Sequence, residues 1–318
     1  MELQFTFYTI ALAVVKTFVL MGVGYLLYRT KVIDGKFTDT LSIILVRVIF
    51  PALIVSKMIT YFSFSGYPGL WVLPLFAIAF SLIGMALGLI AFPFLKGFSP
   101  KKEFVASSGF QNCGYLPMTL LLFAFQGAIE EKLLIYLFFF IIGFNILMWS
   151  IVPLVLSGDI KKGFSAKVML NPPVLATVFS LFWVAVAGKG SMPSILMDPI
   201  TRLGQAAFPI AMITLGAYLS MHQAHKPERI MPLVTCGVIK LVLLPVIVFS
   251  ALFFLPLNGD MKFFLFLESI MPTAVSLVVI GSYTGADNRF FSSVIFYTHV
   301  VAIFSIPLWL ALFHAVMK

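Results

Sequence analysis

Charge is scarce in this chain. Of 318 residues only 33 are charged, 21 Lys or Arg and 12 Asp or Glu, about 10% of the sequence, against about 25% in an ordinary soluble domain. That scarcity excludes a water-facing surface of normal composition. Cysteine is scarcer still. Cys113 and Cys236 both lie in apolar runs, which excludes a disulfide framework and a cysteine-based metal site. There is no phosphate-binding glycine loop, so nothing points to ATP-driven transport, and no low-complexity stretch or composition shift marks a second domain. What the chain has is apolar surface: 61% hydrophobic residues, 15% aromatic, mean hydropathy +1.08. Lipid must be the solvent for most of it, and a helix crosses the hydrocarbon layer in about 20 apolar residues.

Ten apolar runs of that length are predicted, at approximately 6–28, 40–62, 70–95, 104–126, 133–156, 169–188, 199–221, 230–256, 261–284 and 290–316. The first follows Glu2 rather than a basic stretch and is too long for a signal-peptide core, so it reads as a retained helix. Basic residues cluster in alternate loops. Arg29, Lys31, Lys36, Lys96, Lys101, Lys102, Lys161, Lys162, Lys167, Lys226, Arg229 and Arg289 fall on one side, and Lys132, Lys189, Arg202, Lys262 and Lys318 on the other. Twelve against five puts the first set in the cytoplasm and both termini outside, in the cell (inner) membrane. The net charge of +9 is thereby explained by topology, and no nucleic acid is implied.

The two halves echo each other. Phe50-Pro51 and Phe208-Pro209 stand 158 residues apart. Asn145 and His299, like Pro153 and Pro307, stand 154 apart, and Pro117 and Pro272 stand 155 apart. Four landmarks in one order at nearly one offset indicate a repeat. With five spans per half, the second copy must be inverted, the usual plan of secondary transporters. The expected fold is all-α, ten transmembrane helices in a 5+5 inverted repeat. The first repeat takes 1–156, a short cytoplasmic loop 157–168, and the second repeat 169–318.

Two spans carry proline near their middles. Span 4 reads Gln111-Asn112-Cys113-Gly114-Tyr115-Leu116-Pro117-Met118-Thr119. Span 9 reads Glu268-Ser269-Ile270-Met271-Pro272-Thr273-Ala274-Val275-Ser276. Proline removes a donor and clashes with the preceding turn, and Gly114 weakens the first helix further. Two breaks at repeat-related depths, each among polar residues, predict unwound segments that cross and turn half-helix N-termini toward an anion. A pair of ordinary proline kinks is the simpler alternative.

These motifs resemble the crossover of the auxin efflux carrier family. The match rests on Gln111 to Pro117, on Met271 to Ser276 followed by Gly285-Ala286-Asp287, and on Asn171-Pro172-Pro173. The resemblance implies a fold related to bile-acid/sodium symporters. It implies a scaffold of spans 1, 2, 6 and 7 and a transport domain of spans 3–5 and 8–10 that slides elevator-fashion. It also implies a substrate contact at Asn112 and crossover prolines at Pro117 and Pro272. The short loop after span 5 is that of the short bacterial type, for which small organic acids are the expected substrates; auxin itself is not implied. The expected binding set is Asn112, Gly114, Pro117, Thr119, Pro272, Thr273 and Ser276, with no cofactor and no metal.

Ionisable groups inside spans cost at least about 2.5–3.5 kcal/mol each, so each asks for a reason. Lys240 and Glu268 read either as an ion pair locking two helices or as groups that take a proton or replace a bound cation. His299 is a packed neutral histidine or a proton carrier, and its repeat partner Asn145 joins these coupling candidates, for H+ or Na+. Lys16 snorkels or faces the cavity; Arg47 and Lys57 are expected near interfaces. His222 and His225 form an H-x-x-H without further ligands and read as a solvated helix end. Gly84-x-x-x-Gly88 reads as a close-packing device. An intramembrane enzyme would need Glu268, His299 and Cys113 to converge, a sensor would need an attached signalling domain, and a homodimer is left open.

Overall fold

The computed structural model describes residues 7–158, 171–222 and 229–317. Lys161, Lys162 and Lys167 of the expected cytoplasmic loop lie outside the described residues, as do Glu2, His225, Lys226, Lys318 and the side chain of His222.

The described residues are helical throughout, with no strand. Seven helices are long and apolar enough to cross a membrane. In chain order the elements are α1 (Phe7–Arg29), α2 (Gly35–Tyr61) and α3 (Val72–Phe94). Two short helices follow, α4 (Lys101–Gly109) and α5 (Tyr115–Ala124), and then the long α6 (Ala128–Ser157). The second half runs α7 (Pro172–Ala187), α8 (Ser194–Met221) and α9 (Ile230–Phe254). It ends with short α10 (Gly259–Ser269) and α11 (Ser276–Thr284) and long α12 (Asn288–Val316). Every apolar run foreseen in the sequence is helical, and the runs at 104–126 and 261–284 are each interrupted.

Proline shapes the long helices in three ways. Pro51 cannot donate to the carbonyl of Arg47, and the turn before it widens into a π turn at Leu45–Ile49. Pro245 does the same in α9, where the π turn is Ile239–Leu243. The carbonyl it leaves without a donor, that of Leu241, accepts the indole N–H of Trp309 at 2.7 Å. Pro209 deprives Gln205 of its helical donor, and α8 breaks there into Ser194–Gln205 and Ala207–His222. Pro153 and Pro307 sit inside unbroken helices.

Glycine sets which helices touch. A Cβ on Gly24 of α1 would collide with the carbonyl of Ile213, and one on Gly216 of α8 with that of Met21, so these two helices meet backbone to backbone. Gly84 and Gly88 of α3 admit Ser108 of α4 in the same manner, which is the packing role expected of that pair. α2 packs on α7 and on the first half of α8, while α3 packs on α4 and α6. Phe138, Phe139 and Phe140 of α6 and Phe263, Phe264 and Phe266 of α10 are buried, and Phe140 meets Phe264 edge to face with ring centroids 5.8 Å apart.

Lys57, Lys132 and Lys16 find specific partners. Lys57 is not simply an interfacial charge: it bonds Glu130 at 3.1 Å and joins the end of α2 to the start of α6. Lys132 pairs with Asp260 at the start of α10. Lys16 is exposed and lies over the Phe123 ring, 5.6 Å from its centroid.

Candidate functional site

The site is built where the two interrupted runs meet. α4 ends at Gly109, residues 110–113 are non-helical, and Gly114, already in the right-handed helical region, leads into α5 at Tyr115. α10 ends at Ser269, and the chain stays non-helical until α11 begins at Ser276. The two extended segments cross antiparallel. Asn112 donates its backbone N–H to Pro272 O at 2.7 Å, Ala274 donates to Phe110 O at 3.0 Å, and Gln111 stands opposite Thr273. These bonds satisfy backbone groups that two broken helices leave open, and in an apolar surround an unmet one costs about 1–3 kcal/mol.

Pro272 sits within its break, and Pro117 lies just after the other. Pro117 lies in the first turn of α5, where its missing N–H has no helical partner to lose. Pro272 supplies the carbonyl that Asn112 bonds, and α11 starts four residues later. Neither half-helix has a side-chain cap.

A cavity of about 120 Å³ lies against the crossing. Both half-helix N-termini border it, through Gly114 and Tyr115 of one and Val275 and Ser276 of the other. Asn112, Asn145 and Asn171 supply side-chain amides, and Phe50, Phe144 and Trp149 supply apolar walls. A larger chamber of about 490 Å³ shares Tyr115, Trp149 and Ser276 with it. That chamber is bounded by Asp39 and Arg47 of α2, Tyr218 of α8 and Ser282 of α11. Arg47, expected at an interface, thus lines an approach to the crossing. Among the described residues it belongs to neither of the two ion pairs, whereas Asp39 accepts from the Tyr218 hydroxyl at 3.0 Å.

Of the expected binding residues, the cavity is lined by Asn112, Gly114 and Ser276. Thr119 and Thr273 are buried and turned elsewhere. The Thr119 hydroxyl donates to Tyr115 O, and that of Thr273 to Ser107 O, while Thr298 Oγ1 accepts from the Thr273 N–H. Thr273 ties its segment to α4 and α12, Thr119 bonds only within its own helix, and neither borders the cavity. The sequence reading passed over Asn171, Trp149 and Phe144; the Asn171-Pro172-Pro173 motif was the available signal for the first.

The coupling candidates gather around the same crossing. Asn145 lines the cavity, and His299, its repeat partner, is fully buried with Nε2 3.1 Å from Asn112 Nδ2 and Nδ1 2.8 Å from Ile295 O. Lys240, carried on the π turn of α9, reaches Gln111 Oε1 at 3.5 Å. Glu268 is fully buried in the last turn of α10, and neither carboxylate oxygen has a hydrogen-bond partner. Lys240 and Glu268 form no ion pair among the described residues, so the helix-locking reading of that pair is not what the structure has. Cys113 lies within electrostatic reach of both. Because both imidazole nitrogens of His299 are engaged by Asn112 and Ile295, His299 is not hydrogen-bonded to Cys113 or to Glu268. A nucleophile–base pair of the kind an intramembrane enzyme would use is not formed among these three.

Comparison with known proteins follows the same line. The profile of a family described as membrane transport protein matches residues 9–163 and 158–310. An uncharacterized transporter of Methanothermobacter thermautotrophicus is 25% identical over 310 residues, covering 93% of this chain and 96% of that one. An uncharacterized transporter of Methanocaldococcus jannaschii is 27% identical over 143 residues, 43% of this chain and 44% of that one. Protein PIN-LIKES 2 of Arabidopsis thaliana is 27% identical over 161 residues, 46% of this chain and 35% of the plant protein. The crossover motif, the all-helical membrane architecture and the match across nearly the whole length agree: the chain belongs to the membrane transport protein family, the group that includes the auxin efflux carriers and their PIN-like relatives.

Proposed function

We propose that this protein is a secondary active or facilitative carrier of small organic anions, carboxylates above all, with its binding site at the crossing of the two broken helices. The observation that carries the reading is the convergence of two half-helix N-termini, at Gly114-Tyr115 and Val275-Ser276, on one cavity. Free N–H groups and positive dipole ends favour an anion there. The Asn145 amide and the Ser276 hydroxyl add donors, Asn112 borders the same space, and Arg47 in the adjoining chamber offers a positive field on the way in. The aromatic walls suit the apolar body of a monocarboxylate.

With the two interrupted runs and the shorter α7 each taken as a span, the chain has ten crossings in two inverted sets of five. The heavy packing of α1 on α8 and of α3 on α4 and α6 favours a scaffold and a moving domain, as an elevator requires. On this topology the protein lies in the cell membrane with both termini outside, and the larger chamber faces the cytoplasm, the side of the Arg29, Lys31 and Lys36 turn.

Uptake of labelled mono- and dicarboxylates into proteoliposomes tests the reading. Asn112→Ala is expected to abolish uptake while the protein remains folded, and undiminished uptake would remove Asn112 from the site. A bile-acid-type symporter coupled to sodium or protons is the alternative. It is favoured by the unpartnered Glu268 carboxylate and the equally unpartnered Ser107 hydroxyl near the crossing, oxygens of the kind that hold a hard cation. Replacing sodium by choline on both sides of the membrane would halt a sodium-coupled symporter, whereas a proton-coupled one would be halted by collapsing the pH gradient and a uniporter by neither.

A further inference from the structure

We propose that His299 and Asn112 form a proton-operated switch that sets whether the crossing presents an acceptor or a donor to its anion. The proposal rests on the carboxylate-carrier reading above. Its ground is the sharing of hydrogens between the two side chains. Ile295 O can only accept, so the His299 Nδ1 2.8 Å away carries its hydrogen. In the neutral ring Nε2 is then an acceptor, and it takes a hydrogen from Asn112 Nδ2 at 3.1 Å. That bond orients the amide. With Nδ2 held by His299, Oδ1, on the other side of the carboxamide, is the atom left for the cavity that Asn112 lines. A carbonyl oxygen facing a carboxylate is repulsive.

Protonation at Nε2 reverses the arrangement. With both ring nitrogens as donors, N–H would face N–H, and the conflict is relieved when the carboxamide turns over about its Cβ–Cγ bond. Oδ1 then accepts from Nε2–H, and the NH₂ group takes the place facing the cavity. One proton joins Nε2 as one carboxylate binds, and both leave together; no covalent bond between heavy atoms forms or breaks. The imidazolium and the anion enter as a pair without net charge. This matters inside a membrane, where a lone charge is costly. His299 is thus a positioning residue acting through Asn112. The titratable and charged groups with described side chains on the elements packed against it are Tyr8, Lys16, Tyr25, Tyr28 and Arg29 of α1, Lys101, Lys102 and Glu103 of α4, Tyr218 in the second half of α8, and Cys236 and Lys240 of α9, besides Arg289, Tyr297 and His314 of α12 itself. Cys113 and Glu268 lie in the two broken runs. None of them is hydrogen-bonded to the imidazole, so its protonation is read through Asn112 alone.

The test uses the purified protein in lipid nanodiscs with benzoate as the probe. Calorimetric titrations in buffers of different ionisation enthalpy count the protons taken up on binding. Wild type is expected to take up one proton per benzoate, with affinity rising about tenfold for each unit fall in pH above the imidazole midpoint. In His299→Gln the Gln carbonyl still accepts from Asn112 but cannot be charged. Benzoate should bind it more weakly, with no proton uptake and no pH dependence. Wild-type binding without proton uptake, or uptake retained in His299→Gln, would overturn the switch. A second readout needs no ligand. With His222, His225 and His314 each replaced by Gln, His299 is the one imidazole left, and its ¹⁵N resonances report tautomer and charge. The Nδ1–H form at high pH, giving way to the doubly protonated ring with a midpoint that moves in Asn112→Leu, supports the switch even if no carboxylate binds. In that case the carrier reading fails alone. A ring that stays neutral throughout the pH range of the folded protein, with and without benzoate, sinks it.

Discussion

Glu268 is the residue whose retention most needs a reason. Its carboxyl is fully buried, makes no hydrogen bond, and sits in the last turn of α10 where the helix dipole is negative. Each of these raises the free energy of the folded state. Glu268→Met, which keeps the volume and removes the polar atoms, is therefore expected to raise unfolding free energy by about 1–3 kcal/mol. Detergent-titrated unfolding followed by helical circular dichroism measures this. A gain in stability accompanied by lost transport would mark a group kept for function, whereas a loss of stability would mean the carboxyl has partners in the folded protein. The sequence pointed to Glu268, Lys240 and His299 because charge inside an apolar run is rare. It could not say which of them touch. Their spacing along the chain carries no information about contacts made across the crossing, and only the folded chain brings His299 to Asn112 rather than to Glu268.

Elements in this molecule are adjusted by proline and glycine more than by side-chain packing alone. The π turn of α9 exists because Pro245 leaves Leu241 O without its donor, and Trp309 of α12 completes it. Trp309→Phe keeps an aromatic ring but removes that hydrogen bond together with part of the ring packed near Phe266. It is expected to cost about 1–3 kcal/mol, read by the same unfolding assay, and to loosen the turn that carries Lys240. Gly84 is a different case, because the backbone of Ser108 and Gly109 occupies the space where its Cβ would be. Gly84→Val must push α3 and α4 apart, at a cost of about 1–3 kcal/mol. Since α4 feeds directly into the crossing, weaker benzoate binding should accompany the loss. Wild-type stability in this variant would show that α3 and α4 do not meet through Gly84. The Gly84-x-x-x-Gly88 pattern was visible in the sequence as a contact without a partner. The two π turns were not, since Pro51 and Pro245 are equally compatible with a simple kink.

At the scale of the whole molecule, the alternating basic loops make a prediction about sidedness. Lys36, at the start of α2, and Lys189, in the exposed turn after α7, should lie on opposite sides. In a background lacking Cys113 and Cys236, Lys189→Cys is expected to react with a membrane-impermeant maleimide added to intact cells. Lys36→Cys is expected to react only after permeabilisation. The reverse pattern would invert the topology and with it the cytoplasmic opening of the larger chamber. The sequence by itself determined the solvent, the helices and the two interruptions. Hydropathy and backbone chemistry act locally, so scarce charge, apolar runs and mid-run prolines can be read residue by residue. It also indicated Asn112, Gly114 and Ser276 at the cavity. Tertiary structure alone decided that Thr273 spends its hydroxyl on Ser107 O of α4, that Arg47 lines a chamber, and that His299 bonds Asn112. Those outcomes depend on which segments cross and at what register. That is fixed by the long-range backbone bonds between residues 110–112 and 272–274, more than 150 positions apart, and nothing local to either segment encodes it.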